Sequence, residues 1–269
     1  MPILREGIDP LRCFTFHGAE VSSITGSQSR GDCAFCGGEQ KFHVNRESGE
    51  WDCKSCARSG NPLTFLRQLH EIGSTDGLEE LAAERGLLDV DTLVSWGVVR
   101  SPITDEILVP GYNIEGEIHS LYRWVRWTDS EVAPQKRLYP TPGVHEEGYA
   151  HGLFGVPLFD PNKSTVHLCE GCWDGMAWWE VVGDEFNVLA IPGAGTFRQL
   201  WERLLTGKDV VLLFDNDHPR EITVPNGSKR IVQGAGIAGT RRTATMLLSL
   251  PEEQQPTSIS YLDWSLVKQ

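Results

Sequence analysis

Two CxxC pairs constrain the fold of this chain more than any other feature of its sequence. Cys33 and Cys36 form the first pair, Cys53 and Cys56 form the second, and sixteen residues separate the two pairs. A separation of about 15 to 20 residues is typical of two knuckles that close on one zinc ion. Four thiolates complete a tetrahedral site with no open position, which makes the metal structural. We therefore predict one structural Zn²⁺ per chain, held by these four cysteines.

The remaining cysteines and two histidines do not fit this pattern. Cys13, Cys169 and Cys172 are interpreted as packing residues, and His43 and His70 are not needed as ligands because four cysteines are already present. No apolar run approaches the roughly 20 residues that span a bilayer, and the N-terminus lacks the apolar core of a signal peptide. We therefore expect a cytoplasmic protein without a membrane partner, in which the thiols stay reduced.

The residues around the cysteines predict a small sheet followed by a helix. The segments "KFHVN" and "EWDC" alternate like two short strands, with "RESG" as their turn. The segment "GNPLTFLRQLHEI" then places Leu63, Phe65, Leu66 and Leu69 on one apolar helical stripe. The core of such a ribbon is too small to fold without its metal. We predict a zinc ribbon over residues 1–75.

Two further regions follow, and together with the ribbon they predict a multidomain α+β protein. Residues 76–158 contain connecting helices, then the strand meander "ILVPGYNIEGEIHSLYRWVRW", then the basic stretch "PQKRLYPTPG". This pattern predicts a mixed α/β basic subdomain. Residues 159–269 alternate strands with helices, including a helix over "GTFRQLWERLL", which predicts an α/β domain with a mostly parallel sheet.

Acidic residues stand where two strands of this predicted sheet end. Glu170 closes the "TVHLCEG" strand, Asp174 begins the next helix, and Asp215 and Asp217 close the "DVVLLFDND" strand. Ligand sites in such sheets form at the carboxyl ends of the strands. Hard oxygen ligands without nearby His or Cys suit Mg²⁺ or Mn²⁺, and such ions organise phosphates in phosphoryl transfer. Solvated strand-end acids are the alternative interpretation, and it explains a single DxD pair better than acids at two strand ends.

In order, the motifs of the chain resemble those of a known enzyme family. "LCEGCWDGMA", "AIPGAGT" and "VVLLFDND" look like the successive motifs of a Toprim domain, with Glu170, Asp174, Asp215 and Asp217 at its acidic positions. "CAFCGGEQKFHVNRESGEWDCKSCARSGNPLTFL" resembles the zinc-binding domain of bacterial and phage primases. "ILVPGYNIEGEIHSLYRW" and "KRLYPTPG" resemble segments of the primase core. The chain therefore resembles a DnaG-type DNA primase, and the resemblance to phage members places it in a bacterial or phage-infected cytoplasm.

The resemblance implies a role for each part. The ribbon would recognise a single-stranded DNA template, and Glu170, Asp215 and Asp217 would hold Mg²⁺ or Mn²⁺ with a ribonucleoside triphosphate. Arg123 takes the position of a substrate-facing arginine among the catalytic residues. The candidates for template or phosphate contacts are Lys41, His43, Arg46, Trp51, Lys54, Arg126, Lys136 and Arg137. Each of these candidates is equally compatible with a solvated or packing role.

The implied reaction is synthesis of a short RNA primer from ribonucleoside triphosphates. A Toprim nuclease and a non-catalytic zinc-dependent single-stranded DNA-binding protein are the alternatives. The formal net charge of −13 predicts weak template binding, because phosphate neutralisation dominates affinity for nucleic acids. No GxxxxGK[ST] loop is present, so a replicative helicase partner would act in trans or from a region outside this chain.

Two features depart from the family pattern. Residues 218–233 intervene between "FDND" and the "GAGIAGTRRTA" helix, either as a Lys- and Arg-rich loop at the rim of the site or as an inert insertion. A later acidic motif is missing or lies beyond the end of this sequence, and Asp263 is a substitute candidate.

Overall fold

The computed structural model of this protein describes the chain in two compact units. The described residues are 9–23, 26–86, 89–124, 138–142, 144, 151–217, 219–223, 228–232 and 234–262. The first unit comprises Met1–Glu84, Asp89–Asn113 and Glu117–Gly152, and the second comprises Arg85–Leu88, Ile114–Gly116 and Leu153–Gln269. Within the described residues, no helix is both long and apolar enough to cross a membrane. The predicted three-domain bounds stay a prediction.

The four cysteines lie in, or in the loops and turns next to, a five-stranded antiparallel sheet, the ribbon. The chain enters it from helix α1 (Leu11–Phe16), and its strands are β1 (Val21–Ser23), β2 (Gln28–Gly31), β3 (Phe42–Asn45), β4 (Trp51–Cys53) and β5 (Ser59–Gly60). The two strands predicted from alternating residues are therefore confirmed as β3 and β4. Phe42 and Val44 are buried while His43 between them is half-buried, as a strand with period two requires. Gly49 has a φ of +72° in the intervening turn, a conformation that strains other residues.

Helix α2 (Pro62–Glu71) covers the inner face of the ribbon. It begins at two sequence signals: the Asn61 side chain accepts a hydrogen bond from the Thr64 backbone N–H at 2.9 Å, and proline occupies the first helical position. The predicted apolar stripe is buried, and its Phe65 ring lies 4.9 Å from the Phe14 ring of α1. Burying a Leu or Phe side chain stabilises the fold by about 1.5 to 3 kcal/mol. This stripe therefore fixes the helix to the ribbon.

An antiparallel sheet completes the first unit. Helices α3 (Leu78–Arg85) and α4 (Val90–Ser95) lead to β6 (Val99–Arg100), β7 (Ile107–Tyr112), β8 (Ile118–Trp124) and β9 (Leu138–Pro140), which pair in chain order. Leu108 and Leu121 of this sheet belong to the same hydrophobic cluster as Phe14 and Leu69. The Arg67 side chain of α2 also donates a hydrogen bond to the backbone carbonyl that begins β8, at 2.8 Å. The ribbon and the sheet thus share one core.

The second unit is built on a four-stranded parallel sheet of order β11-β10-β12-β15. Its elements are β10 (Thr165–Cys169), α5 (Cys172–Val182), β11 (Asn187–Ala190), β12 (Asp209–Leu213), β13 (Arg220–Thr223), β14 (Lys229–Val232), α6 (Ala235–Leu248) and β15 (Ser258–Tyr261). Strands β13 and β14 pair only with each other. The predicted parallel sheet with intervening helices is confirmed.

The prediction of an α-helix over residues 195–205 is wrong. The structure has only a 3₁₀ helix there, Gln199–Leu204. The Thr196 hydroxyl and backbone N–H both donate to the Gly193 carbonyl, which holds the preceding residues in a turn. Gly207, with a φ of +67°, turns the chain again just before β12. A segment this short favours the tighter 3₁₀ geometry over an α-helix.

A buried histidine connects α1 to β8 and β9. His17 is fully buried, and its Nε2 lies 2.7 Å from the Thr141 hydroxyl, which donates to the Leu121 carbonyl at 2.6 Å. Because the hydroxyl has one proton and gives it to Leu121, it must accept from His17, which places the histidine proton on Nε2. Nδ1 is buried without a hydrogen-bond partner. Burial, with the nearby Arg123 charge, lowers the pKa of His17 to about 3.

We expect the His17 ring to destabilise the fold as pH falls. The unfolded state takes up the proton near pH 6.5 and the folded state only near pH 3, so stability is lost progressively between these values. At pH 5 the loss is about 2 kcal/mol relative to pH 7.5. His17→Asn should reduce the pH dependence of the free energy of unfolding by about this amount.

The matched control is Thr141→Val, which removes the hydrogen-bond acceptor and keeps the titrating ring. This variant should be less stable at both pH values and retain the wild-type pH dependence. Urea unfolding at pH 7.5 and pH 5 measures both quantities. A wild-type pH dependence in His17→Asn would assign the titration to another group.

Candidate functional site

The four cysteine sulfurs lie at the end of the ribbon in the arrangement of a tetrahedral metal site. All four Sγ atoms are within 4.8 Å of one another, with Cys33 and Cys56 3.9 Å apart and Cys36 and Cys53 3.8 Å apart. Four sulfurs bound tetrahedrally at the usual zinc–sulfur length of about 2.3 Å would be separated by about 3.8 Å. None of the four forms a disulfide. The donor set therefore fits a structural zinc ion.

The local backbone prepares one of these sulfurs to be a thiolate, the form that binds zinc. Burial raises the pKa of Cys33 to about 12. At Cys53 burial also raises the pKa, but hydrogen bonds from the backbone N–H groups of Cys56 and Ser55 lower it, and the net value is about 7. The three cysteines outside the cluster, Cys13, Cys169 and Cys172, are buried.

One row of side chains crosses the outer face of the ribbon. In the register of the sheet, Arg30 of β2 lies opposite His43 of β3, which lies opposite Asp52 of β4, which lies opposite Ser59 of β5. Directly paired residues point to the same face of a sheet. No sequence motif joins Arg30, His43, Asp52 and Ser59. Only the period-two alternation of the strands would have indicated that these side chains share a face.

An open cleft of about 500 Å³ lies on this face of the ribbon. Most of its lining residues are polar: Gln28, His43, Asn45, Glu50, Trp51, Asp52, Ser59, Gly60 and Asn61. Two of the lining side chains support the fold, because Asn45 accepts hydrogen bonds within a turn and Asn61 caps α2. Gln28, His43, Glu50, Asp52 and Ser59 remain as polar side chains that can face a ligand.

The predicted template residues of the ribbon occupy different environments. His43 lines the cleft, whereas Lys41 and Arg46 are exposed outside its lining. Lys54 forms an ion pair with Asp52 at 2.7 Å, and both side chains are largely exposed. Exposed pairs of this kind are weak, so Lys54 can exchange this partner for a phosphate.

Trp51, a candidate template contact for which packing was the alternative, is buried. Its side chain is 3% exposed, and its indole N–H donates to the Asn61 carbonyl at 2.9 Å. The ring stacks on Phe35 at 5.4 Å and lies 5.2 Å from Phe42. An indole covered on these sides contributes to the ribbon core, and only its edge reaches the cleft.

Arg123, the predicted substrate-facing arginine, has partners within the first unit. Its Nε lies 2.7 Å from a Glu106 carboxylate oxygen, and its Nη1 donates to the Phe16 carbonyl. The guanidinium lies 4.4 Å from the centre of the Phe16 ring. These contacts connect α1 to the antiparallel sheet, and the substrate-facing role of Arg123 stays a prediction. Arg126, Lys136, Arg137 and Asp263 lie outside the described residues.

The predicted acids lie at one edge of the parallel sheet. Glu170 follows β10 directly, and Asp215 and Asp217 follow β12, the neighbouring strand in parallel register. The Asp215 backbone N–H donates to a Glu170 carboxylate oxygen at 3.1 Å, which joins the two strand ends. Asp174 lies in the first turn of α5. Asp215 and Asp217 are exposed, and Glu170 is half-buried.

The acids repel one another. Burial raises the pKa of Glu170, and the Asp215 and Asp217 charges raise it further, although hydrogen bonds from the Asp215 and Ala194 backbone oppose this. Burial and the Asp215 charge likewise raise the pKa of Asp174. A site that disfavours its own negative charges favours a cation.

Glycines allow α6 to begin directly against the acidic pair. A Cβ atom at Gly236 would lie 1.9 Å from the Asp215 carbonyl oxygen, and one at Gly234 would lie 2.1 Å from the Asp217 carbonyl oxygen. The Gly236 backbone N–H is 3.4 Å from an Asp217 carboxylate oxygen. Any side chain at these positions would displace the acids, so both glycines position them.

The acidic edge, formed by Glu170, Asp215 and Asp217, is suited to a Mg²⁺ or Mn²⁺ ion with open coordination positions rather than to an ion fully enclosed by protein ligands. Among the described residues, the cysteine cluster is the one group of three or more candidate ligands whose atoms all lie within 4.8 Å of one another. Mg²⁺ is commonly held by one or two carboxylates, with waters and substrate phosphates as its other ligands. Glu170, Asp215 and Asp217 can supply those carboxylates.

The fold of this chain is similar to that of solved primase structures. The E. coli primase catalytic core has a TM-score of 0.50 at 14% identity, over 74% of this chain and 69% of that chain. This chain therefore has the fold of the DnaG-type primases. The zinc-binding and RNA polymerase domains of Aquifex aeolicus primase align with 96% of this chain and 78% of that chain, with 16% identity and a TM-score of 0.45. No family model matches the chain.

A curated relative is also a DNA primase. The DNA primase of Lactococcus lactis is 38% identical over 66 residues, which are 24% of this chain and 10% of that protein. The match therefore spans a tenth of the relative's length. The resemblance to DnaG-type primases is confirmed, and the activity, substrates and partners of this chain are proposals.

Proposed function

We propose that this DnaG-type chain is a DNA-dependent RNA primase that synthesises short RNA primers on single-stranded DNA. The observation that carries the proposal is the acidic edge, where two neighbouring parallel strands end in carboxylates. Its reaction joins ribonucleotides, as the 3′ hydroxyl of one attacks the α-phosphorus of the next and pyrophosphate leaves. The four-cysteine ribbon in the same chain favours a primase over a Toprim nuclease, which needs no template reader.

The residues of the acidic edge would bind and orient the nucleotide. Divalent Mg²⁺ or Mn²⁺ ions held there supply charge neutralisation to the triphosphate oxygens. Glu170 is oriented for this task by the backbone N–H groups of Asp215 and Ala194. Most of the catalytic effect would come from positioning and from charges fixed in advance by the strand ends.

The cleft on the ribbon is the proposed template reader. A single-stranded base exposes its hydrogen-bonding edge, and Gln28, His43 and Ser59 offer both donors and acceptors to it. Lys41 and Lys54 are exposed lysines near the cysteine knuckles and suit phosphate contacts. The net charge of −13 keeps this binding weak, so a replicative helicase partner would raise the local template concentration.

We expect His43→Ala to reduce the preference for one template sequence over others. A base-edge contact contributes about 1 to 3 kcal/mol of discrimination, which corresponds to a loss of roughly 5- to 150-fold. Lys41→Ala is the control, because loss of a phosphate contact weakens binding to all sequences about equally. Primer synthesis on a panel of short templates measures both effects. Equal losses on every template in His43→Ala would contradict base reading by the cleft.

A template-directed assay tests the proposed function. The protein is incubated with single-stranded DNA, Mg²⁺ and labelled ribonucleoside triphosphates, and the products are separated by size. Short labelled RNA that disappears when template is omitted is the expected result. A parallel reaction without nucleotides tests the alternatives: DNA cleavage would indicate a nuclease, and binding without either reaction would indicate a non-catalytic binding protein.

A further inference from the structure

Strands β13 and β14 form a hairpin arm, residues 219–223 and 228–232, that is separate from the parallel sheet. The chain leaves the acidic edge at Asp217 and returns to it at Gly234. The two ends are in direct contact, since a Cβ atom at Gly234 would lie 2.1 Å from the Asp217 carbonyl oxygen. The arm is therefore rooted on the acidic edge itself.

Packing does not account for the arm. Ile231 is 73% exposed, and Lys229 and Arg230 are exposed as well. An isolated two-stranded hairpin is at best marginally stable in water. An ion pair along the arm, between Lys229 and Glu221 at 2.7 Å, joins two largely exposed side chains and adds little. A ligand that covered the arm would supply the missing stabilisation.

The charge of the arm is opposite to that of the chain. Its described segments contain Arg220, Lys229 and Arg230 against Glu221, whereas the whole protein has a net charge of −13. Lys229 and Arg230 are consecutive in β14 and so point to opposite faces of the arm. The arm thus presents a cation on either face, which suits a polyanion.

The length of the arm indicates what kind of polyanion it is suited to bind. Arg230 and Lys229 precede Gly234 by four and five residues, which in an extended strand corresponds to about 13 to 17 Å. Successive phosphates of a duplex strand are about 3.4 Å apart along the helix axis. A reach of this length corresponds to about four or five nucleotides of a strand, which is more than a triphosphate spans.

We propose that the hairpin arm binds the phosphodiester backbone of the nucleic acid strand whose end occupies the acidic edge. Lys229 and Arg230 make the phosphate contacts, and Glu221 weakens them by pairing with Lys229. This proposal rests on the proposed function, because that function places a growing strand at the acids.

The test measures binding of a fluorescein-labelled RNA primer annealed to a DNA template, without nucleotides, by anisotropy over a salt series. The double variant Lys229→Ala/Arg230→Ala should bind about tenfold more weakly at 0.1 M salt and lower the slope of log affinity on log salt by about 1.4 to 1.8. Glu221→Gln should act in the opposite direction and tighten binding about two- to threefold, because Lys229 loses its competing partner. Arg203→Ala, an exposed cation elsewhere in the second unit, is the matched control and should bind like wild type.

The outcomes separate this proposal from the proposed function. Unchanged affinity and slope in the double variant would overturn the role of the arm even if primer synthesis is observed. A raised KM for ribonucleotides with unchanged primer–template binding would also overturn it, because the contact would then be to the triphosphate. Weaker binding in the double variant of a chain that makes no primers would support the arm and refute the primase function. Wild-type zinc content and thermal midpoint verify that each variant is folded.

Discussion

Asp215→Asn is expected to abolish primer synthesis, with a loss greater than about 100-fold, while the protein stays folded. The change removes the charge of a proposed metal ligand at nearly constant shape. Loss of even a supporting residue around a metal typically costs about 10- to 100-fold, so loss of a ligand should cost more. The Asp215 backbone N–H that orients Glu170 is retained, which isolates the effect of the carboxylate.

The stability of Asp215→Asn should be equal to or higher than that of wild type. The Asp215 charge contributes to the raised pKa of Glu170 and of Asp174, so its removal relieves a repulsion in the folded state. At a concentration of ten times its Kd, Mg²⁺ should stabilise wild type by about 1.4 kcal/mol and so raise its thermal midpoint. The variant should lose most of this Mg²⁺-dependent increase. Glu170→Gln should behave in the same way.

Asp209→Asn is the matched control, because Asp209 begins the same strand β12 at the opposite end. Its carboxylate accepts a hydrogen bond from the Ser258 hydroxyl at 2.6 Å, which an amide oxygen can also accept. This variant should retain activity. Primer synthesis by Asp215→Asn within a few-fold of wild type would exclude the acidic edge as the catalytic site.

Cys53→Ser is expected to reduce bound zinc from one equivalent per chain to less than half an equivalent. Structural zinc contributes about 10 to 16 kcal/mol of apparent binding free energy in small metal-dependent folds, and that energy is folding energy. The Cys53 sulfur accepts two backbone hydrogen bonds, from Ser55 and Cys56, so its loss also removes support for the knuckle. Metal analysis of purified protein measures the zinc, and limited proteolysis reports on folding of the ribbon.

Cys13→Ala is the control for the zinc prediction. Cys13 is buried in the same hydrophobic cluster as the ribbon but lies outside the group of four metal-binding sulfurs. The variant should hold a full equivalent of zinc with a moderate loss of stability. Normal zinc content in Cys53→Ser would refute the four-cysteine site.

The parts of this fold that were predictable depend on short-range sequence patterns. The spacing of the four cysteines, the alternation around Phe42 and Val44, and the capping signals at Asn61 each describe interactions within a few residues or across one turn. The acids were predictable for a related reason: parallel strands place their carboxyl ends at one edge, so two strand-end motifs must meet.

The contacts of Trp51 and Arg123 could not be predicted from short-range patterns. Both residue types bind nucleic acids well when they are exposed, and the sequence alone does not show whether a given side chain is exposed. Trp51 is covered because Phe35 and Phe42 approach it within the ribbon, and Arg123 is engaged because α1 brings Phe16 to β8. Partners 107 residues apart in the chain, as Arg123 and Phe16 are, leave no local signal.

The sequence by itself determined the zinc ligands, the type of most elements and the edge at which the acids meet, because these depend on spacing and periodicity along the chain. Only the tertiary structure decided that the ribbon and the antiparallel sheet share one core, that the ribbon carries a polar cleft, and that residues 218–233 contain a hairpin rooted at Asp217. These features depend on burial and on contacts between residues far apart in the chain, because the same side chain packs, pairs or faces a ligand according to what surrounds it.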